Sequence, residues 1–140
     1  MMIDPIAGSI EVGASGLKAQ SARLRVIAEN MANAHSTAAT PGGNPYTRKT
    51  ISFESEMDRT SGAELVRVRD VGVDQAPFKV EYDPGNPGAD RSGFVKMPNV
   101  NIITEMSDMR EANLSYEANL EVVKQGRSLY TMTVDVLRNA

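Results

Sequence analysis

The sequence predicts a mainly α protein in which long N- and C-terminal helices pair as a coiled-coil-like hairpin, with a small antiparallel β unit inserted between them. Near both ends of the 140-residue chain, apolar residues recur at intervals of seven, the pattern of helices that pack along one seam. The middle instead alternates apolar and polar residues, as half-buried strands do. We therefore predict an N-terminal helix in residues 1–35, a loop and β unit in residues 36–97, and a C-terminal helix in residues 98–140.

The N-terminal helix is predicted over residues 5–34, because Asp4 can cap it and Pro5 suits its first position. Three glycines weaken it, each by up to about 1 kcal/mol relative to alanine, but glycine on a seam also lets two backbones approach closely. These glycines are Gly8, Gly13 and Gly16. The predicted stripe has two lines. The first consists of residues seven apart: Ile3, Ile10, Leu17, Leu24 and Met31. The second contributes Ile6 and Ile27.

The middle of the chain is predicted to hold loops and short strands. Residues 34–45 and 83–93 are rich in proline and glycine and predict loops. The strands are expected at residues 46–53, 65–73, 78–82 and 94–97.

The strand over residues 78–82 has the clearest alternation. Phe78, Val80 and Tyr82 fall on one face, with Lys79 and Glu81 on the other. This is the pattern of a half-buried strand, so we expect its apolar face to be covered.

The C-terminal helix is predicted from Pro98 to Leu137, a length of about 60 Å at 1.5 Å per residue. A compact globule of this chain length would be only about 37 Å across, so the helix is expected to extend past it. Its stripe consists of Met109, Tyr116, Val123, Tyr130 and Leu137, flanked by Met106, Leu120 and Val134.

Polar residues also fall on the two stripes, at Gln20, Asn113 and Arg127. A buried polar residue in a coiled coil fixes register and partner at some cost in stability. Alternatively, these side chains lie at the edge of the seam and reach water. Both interpretations are compatible with stripes that specify a partner.

Composition argues against several classes of partner. The formal net charge is −3 and the charges are spread along the chain, so no basic block predicts binding to nucleic acid or to an anionic membrane surface. No apolar run approaches the ~18 residues of a membrane span. The absence of cysteine excludes disulfides and cysteine-ligated zinc. The first residues lack the features of a cleaved secretory signal, so any export is expected to need none.

Candidate catalytic or ligating groups are few. His35 is the only histidine and lies in a predicted loop without ligand-type neighbours. Glu54, Glu56 and Asp58 could bind a hard cation but lack the glycine and the final glutamate of a calcium loop, which favours a solvated face. The residues predict no enzyme, no metal and no cofactor. The alternatives to a structural role are a stand-alone coiled-coil binding module and, third, an enzyme that depends on His35.

Three segments carry a resemblance to a known family. Residues 15–37, with the turn Asn30-Met-Ala-Asn33, residues 42–49 (GGNPYTRK) and residues 82–125 closely resemble the flagellar basal-body rod proteins, within the family of rod, hook and axial proteins. The segment at residues 93–101 and the SYEANLEV run at residues 115–122 resemble the proximal rod members more narrowly. The resemblance covers both helices and the loops beside the strands.

The resemblance implies a structural subunit of the proximal rod, the helical drive shaft that crosses the periplasm and transmits torque. It implies export through the flagellar type III apparatus without a cleaved signal. The implied partners are other copies of the chain and neighbouring rod proteins of the FlgB, FlgF, FlgG and FliE types, with no nucleic acid and no membrane insertion.

In the family the terminal helices form an inner layer around the export channel. The resemblance therefore assigns assembly roles to the stripe residues and to Asn30 and Asn33, and none to His35 or Arg127. The seam pattern alone adds Asn113 and Arg127 as candidate assembly residues. Because both helices are predicted to be marginal alone, we expect them to fold as they dock on neighbours.

Overall fold

The computed structural model describes residues 4–140, in which two long helices bracket four strands. Helix α1 has 28 residues and α2 has 38, so the chain is roughly half helical. This confirms the predicted fold class; Ile3, at the start of the predicted stripe, lies outside the described residues. The elements in chain order are α1 (Pro5–Ala32), β1 (Lys49–Met57), β2 (Glu64–Val73), β3 (Lys79–Tyr82), β4 (Phe94–Met97) and α2 (Ile102–Asn139).

Helix α1 begins where the sequence predicted. The Asp4 carboxylate accepts hydrogen bonds from the backbone N–H groups of Ile6, at 3.0 Å, and Ala7, at 3.4 Å, which is the bonding of an N-cap. The helix ends at Ala32, two residues earlier than predicted. The Glu29 carbonyl accepts from both the Asn33 N–H, at 3.1 Å, and the Asn33 side-chain amide, at 2.9 Å. The chain then turns, since the Ala34 N–H bonds the Met31 carbonyl three residues back, at 3.3 Å.

Helix α2 begins at Ile102, four residues later than predicted. Asn101 caps it: its side-chain oxygen accepts from the N–H groups of Ile103, at 3.0 Å, and Thr104, at 3.4 Å. An asparagine cap sets this boundary more strongly than Pro98 does, because it satisfies N–H groups that have no partner inside the helix.

The chain forms two compact units. The first comprises residues up to Leu24, residues 52–70 and residues 110–140, and the second comprises residues 25–51 and 71–109. In the first unit the two helices run antiparallel, since Ile10 lies against Gly126 and Gly13 lies against Val123.

Glycine permits this close helix contact. A Cβ atom at Gly13 would lie 2.9 Å from Cγ2 of Val123 and 3.3 Å from the carbonyl oxygen of Asn119. A Cβ atom at Gly126 would lie 2.6 Å from Cγ1 of Ile10. The expectation that glycine lets the backbones approach is therefore met at Gly13, and Gly126 of α2 adds a close contact that the sequence did not predict.

The predicted β unit consists of two separate two-stranded sheets, β1 with β2 and β3 with β4. Strand β1 starts three residues later and ends four residues later than predicted, so Glu54 and Glu56 lie within the strand instead of after it. At the β1–β2 turn the Asp58 carboxylate accepts from the N–H groups of Thr60, at 2.6 Å, and Ser61, at 3.1 Å. These backbone hydrogen bonds lower the pKa of Asp58.

The expectation that the apolar face of residues 78–82 is covered holds for Phe78, which is half-buried, and is wrong for Val80 and Tyr82. Val80 and Tyr82 are 60% and 68% exposed, and all four residues of β3 are exposed. In the antiparallel pairing Tyr82 lies opposite Phe94, and the two rings make an edge-to-face contact with centroids 5.4 Å apart. Only β4 supplies a core residue, since Val95 on the opposite face is almost fully buried. Strand β3 is therefore an exposed edge.

Candidate functional site: the helix seam and a buried polar cluster

The α2 seam differs from the predicted stripe in one of its two lines. Met109, Tyr116 and Val123 are half-buried or buried, as one line of a seam requires. The second line runs through small and polar residues spaced by seven: Glu105, Ala112, Asn119 and Gly126. Three of these four are buried and Asn119 is half-buried. Small residues let helices approach, which explains why an apolar pattern alone does not reveal this line.

The predicted α1 residues are all at least partly covered where the structure describes them. Ile27 and Asn30 are buried. The half-buried residues are Ile6, Ile10, Leu17, Leu24, Met31 and Asn33.

The predicted α2 residues divide by position. Val123 is buried, and Met109, Tyr116 and Leu120 are half-buried. The others are exposed in the single chain: Met106, Asn113, Arg127, Tyr130, Val134 and Leu137. Apolar side chains at heptad spacing thus remain uncovered toward the end of the helix.

Gln20, the polar residue on the α1 stripe, is half-buried, and its side-chain oxygen has no hydrogen-bond partner among residues 4–140. The oxygen itself is fully covered, so it does not reach water as an edge residue would.

Asn30 joins α1 to the start of β1 in the second unit. Its side-chain oxygen accepts from the Lys49 N–H at 2.8 Å and from the Tyr46 hydroxyl at 2.9 Å. Its side-chain amide donates to the Lys49 carbonyl at 2.9 Å and to the Glu105 carboxylate at 3.2 Å. The side chain is 1% exposed and uses both donors and both acceptor positions. It pairs with the Lys49 backbone much as a neighbouring strand would.

Glu105 is fully buried and forms an ion pair with Arg48, whose Nε donates to its carboxylate at 2.5 Å. The other guanidinium nitrogens face Asp74, at 3.3 Å, and Asp108, at 3.6 Å. Burial alone would lower the pKa of Arg48, but the hydrogen bond and charge of Glu105, with those of Asp74, outweigh it and raise that pKa. Arg48 therefore stays charged and holds three carboxylates together.

The backbone of the same segment is fixed by Asn99 and Asp74. The Asn99 side-chain oxygen accepts from the Arg48 N–H at 2.8 Å, and its amide donates to the carbonyls of Asp74 and Ala76. The Arg48 carbonyl accepts from the Asp74 N–H at 2.8 Å. Chain segments far apart in sequence are thus joined at one arginine.

An exposed ion pair adjoins this cluster. Lys49 Nζ lies 2.6 Å from the Glu29 carboxylate, and both side chains are about two-fifths exposed. The hydrogen bond and the charge of Lys49 lower the pKa of Glu29, and the same contacts raise the pKa of Lys49.

The chemistry of the cluster is that of a structural joint. Its central donors and acceptors are directed at one another, which fixes geometry and leaves none of them free to transfer a proton. His35 is exposed in the turn after α1. Within residues 4–140 there is no group of three or more metal-ligating side chains. None of the helices described there is long and apolar enough to cross a membrane.

Sequence reasoning missed Arg48 and Glu105. Arg48 falls in the predicted strand over residues 46–53, where a charged residue is expected to face solvent, and Glu105 looks like an ordinary acidic residue in the first helical turn. One signal was available: Glu105 lies seven residues before Ala112 and four before Met109, which is a seam position.

Two family descriptions match the chain. Residues 10–38 match "Flagella basal body rod protein", and residues 91–135 match "Flagellar basal body rod FlgEFG protein C-terminal". These ranges contain most of α1 and the greater part of α2 with its cap, Asn101. The class defined by the helix pair and by both matches is the rod proteins of the flagellar basal body.

Relatives from distant bacteria give the particular family. The flagellar basal-body rod protein FlgC of Agrobacterium fabrum is 55% identical over 97% of this chain and 98% of its own length. The FlgC proteins of Escherichia coli O6:H1 and Borreliella burgdorferi are 43% and 35% identical, over 89% and 93% of this chain and 92% and 96% of their own lengths. The chain therefore belongs to the FlgC family of flagellar basal-body rod proteins. It is a structural rod subunit of the basal body, assembled with other rod proteins, and not an enzyme.

Proposed function

We propose that this rod subunit is exported through the flagellar type III apparatus without a cleaved signal and polymerises in the periplasm into the helical drive shaft. Its proposed neighbours are copies of itself and rod proteins of the FlgB, FlgF, FlgG and FliE types. The supporting comparison is the likeness to FlgC proteins over nearly the whole chain.

The observation that carries this proposal is the uncovered stripe at the end of α2. Tyr130, Val134 and Leu137 are 54%, 45% and 73% exposed, although Val123 on the same stripe is buried against α1. Exposed apolar groups arranged in a line are typical of a surface that another molecule covers. Met106, Asn113 and Arg127 are exposed on the adjacent side of the helix and belong to the same proposed surface.

The proposed assembly is open and head-to-tail. A surface that contacts a different patch on the next subunit generates a helical filament when the rotation does not close. Torque then passes through many side-chain contacts shared among subunits, and no covalent bond is made or broken. The half-buried α1 residues Ile6, Ile10, Leu17 and Leu24 can add to these contacts through their exposed parts.

The test compares two charged substitutions on one helix. Leu137→Glu places a carboxylate in the proposed interface, whereas Thr131→Glu places one at an exposed position outside the stripe. We expect Leu137→Glu to block rod formation and motility in cells lacking the native chain, because burying an unpaired charge is costly. Thr131→Glu should leave both intact.

Secretion and folding are measured in the same strains. Both variants should reach the periplasm at equal levels and show equal helix content by circular dichroism. Normal rods with Leu137→Glu would contradict the proposed interface.

A further inference from the structure

The first compact unit contains an open groove of about 670 Å³ between α1 and β2. Its lining includes the apolar side chains of Ala14, Ala19, Leu65 and Val68. Charged side chains, among them Lys18, also border it. The groove therefore offers an apolar surface with charge beside it.

Ser15 holds the two walls of this groove together. Its hydroxyl oxygen accepts from the Val66 N–H of β2 at 3.1 Å, and the hydroxyl donates to the Val12 carbonyl of its own helix at 2.7 Å. A helix side chain thus takes the place of a neighbouring strand at one point of the β2 edge. Val66 and Val68 remain 38% exposed there, so the groove is held open and its apolar lining is accessible.

Helix α2 carries a second apolar line beside its seam. Its first member, Val122, lies near α1, since a Cβ atom at Gly13 would be 3.4 Å from the Val122 Cγ1 atom. Val122, Leu129 and Val136 recur at intervals of seven and are 45%, 53% and 69% exposed. Met132, on the parallel line three residues after Leu129, is 61% exposed. We call Val122, Leu129, Met132 and Val136 the α2 ridge. A heptad line implies a straight partner that follows the helix, as another helix does.

We propose that the α2 ridge of one copy of this chain seats in the α1–β2 groove of a second copy. This inference rests on the proposed rod assembly and names one of its contacts. The ridge and the groove are different patches of one molecule, so their contact is head-to-tail and can extend without closing.

Charge supports this choice of occupant. Glu121 and Asp135 lie fourteen residues apart and so border the ridge on the same side of α2. Lys18, Arg67 and one acidic residue, Glu11, border the groove, and Arg67 already pairs with Glu56. Neither Lys18 nor Glu121 takes part in an ion pair within residues 4–140. Asp135, by contrast, pairs with Arg138. Glu121 beside the ridge can therefore face Lys18 beside the groove, which favours this register over its reverse.

The groove cannot be filled by the ridge of its own chain. Ser15 and Lys18 each come two residues after a seam glycine, Gly13 and Gly16, and two residues correspond to about 200° of rotation around a helix. The groove thus lies on the side of α1 that faces away from α2 within this unit. A second molecule has to supply the ridge.

Disulfide trapping tests the contact directly, because the native chain has no cysteine. Two differently tagged copies are expressed together in cells lacking the native chain, one with Val68→Cys and one with Leu129→Cys. Oxidised basal bodies should yield a covalent dimer that carries both tags. The control pairs Val68→Cys with Thr131→Cys, which points about 200° away from Leu129 around the helix, and the doubly tagged dimer should be lost.

The pair Val66→Cys with Val122→Cys is measured in parallel, so that one poorly placed cysteine does not decide the result. Motile cells whose isolated rods contain both variants, but give no doubly tagged dimer above the control with either pair, would overturn the groove contact and leave the proposed function standing. If the secreted chain were absent from isolated rods, the proposed function itself would fail.

Discussion

Replacing Arg48 with methionine should destabilise the protein strongly, because it leaves the buried Glu105 carboxylate without its ionic partner. Glu105 is fully buried, and Arg48 provides its ionic partner. After the change the Asn30 side-chain amide, 3.2 Å away, is the one remaining donor to the Glu105 carboxylate among residues 4–140. Removing one partner of a buried ion pair typically costs about 3–5 kcal/mol, and the Arg48→Met variant is expected in that range.

The reciprocal change should cost less. Glu105→Gln keeps an oxygen that can accept from Asn30, and Arg48 retains Asp74 and Asp108 as partners. What is lost is one charge-assisted hydrogen bond, worth about 1.5–3 kcal/mol. Arg48→Met should therefore lower the free energy of unfolding more than Glu105→Gln does, because Glu105 loses its ionic partner whereas Arg48 keeps two others.

Urea unfolding of the purified chain, followed by circular dichroism, measures these free energies. The matched control is Arg67→Met, which breaks an exposed ion pair: the Arg67 side chain is 60% exposed and that of its partner Glu56 is 49% exposed. This control should lower the free energy of unfolding by no more than about 1 kcal/mol. The double variant Arg48→Met with Glu105→Leu should recover part of the loss, since removing both charges relieves the stranded one. An Arg48→Met loss no larger than the control's would refute the reasoning.

Three further predictions concern other contacts. Asn30→Ala leaves both polar groups of the Lys49 backbone without their side-chain partner and should lower the unfolding free energy by at least about 2 kcal/mol; an unchanged urea midpoint would contradict this. Gly126→Ala gains up to about 1 kcal/mol of helix propensity but clashes with Ile10, so a net loss of about 1–2 kcal/mol is expected; a net gain would show that the helices can separate freely. Lys49→Met should raise the pKa of Glu29 toward its ordinary value of 4.5, measured by NMR titration. Because pairing lowers that pKa in the folded state, the stabilisation is present above pH 4.5 and is lost as the pH falls through the lowered value, and the variant should lack this part of the pH dependence.

Local signals in the sequence predicted the element types well. Asp4 before Pro5 placed the start of α1, and a short strand ended by Pro98 was predicted at residues 94–97, which are the observed bounds of β4. These features depend on neighbouring residues only. The boundaries that shifted, such as the α2 start after Asn101, depend on which of two competing local signals wins.

The α2 seam and the polar cluster were harder to predict because they depend on distant residues. A search for apolar heptads finds Met109, Tyr116 and Val123, yet passes over Asn119 and Gly126, whose value lies in being small or locally hydrogen-bonded. In the polar cluster the participants come from residues 30, 48, 74 and 105, and only the tertiary fold places them together. The prediction that the apolar face of β3 is covered fails for a related reason. Alternation predicts which side chains share a face but not whether another element covers that face.

The division of residue types on α2 has a physical explanation. In the intramolecular seam the partner of α2 is α1 of the same chain. Because the two helices are tethered, their effective concentration is high and a modest contact area suffices. Polar and small residues such as Asn119 and Gly126 can then set the register and allow close approach. A neighbouring subunit is not tethered, and its docking must offset the lost translational and rotational freedom. Larger apolar side chains such as Leu129, Val136 and Leu137 are therefore expected on the outward lines, where they remain exposed in the single chain. By this reasoning, a polar substitution on an outward line should impair assembly more than monomer stability, whereas a bulkier residue on the seam should do the reverse.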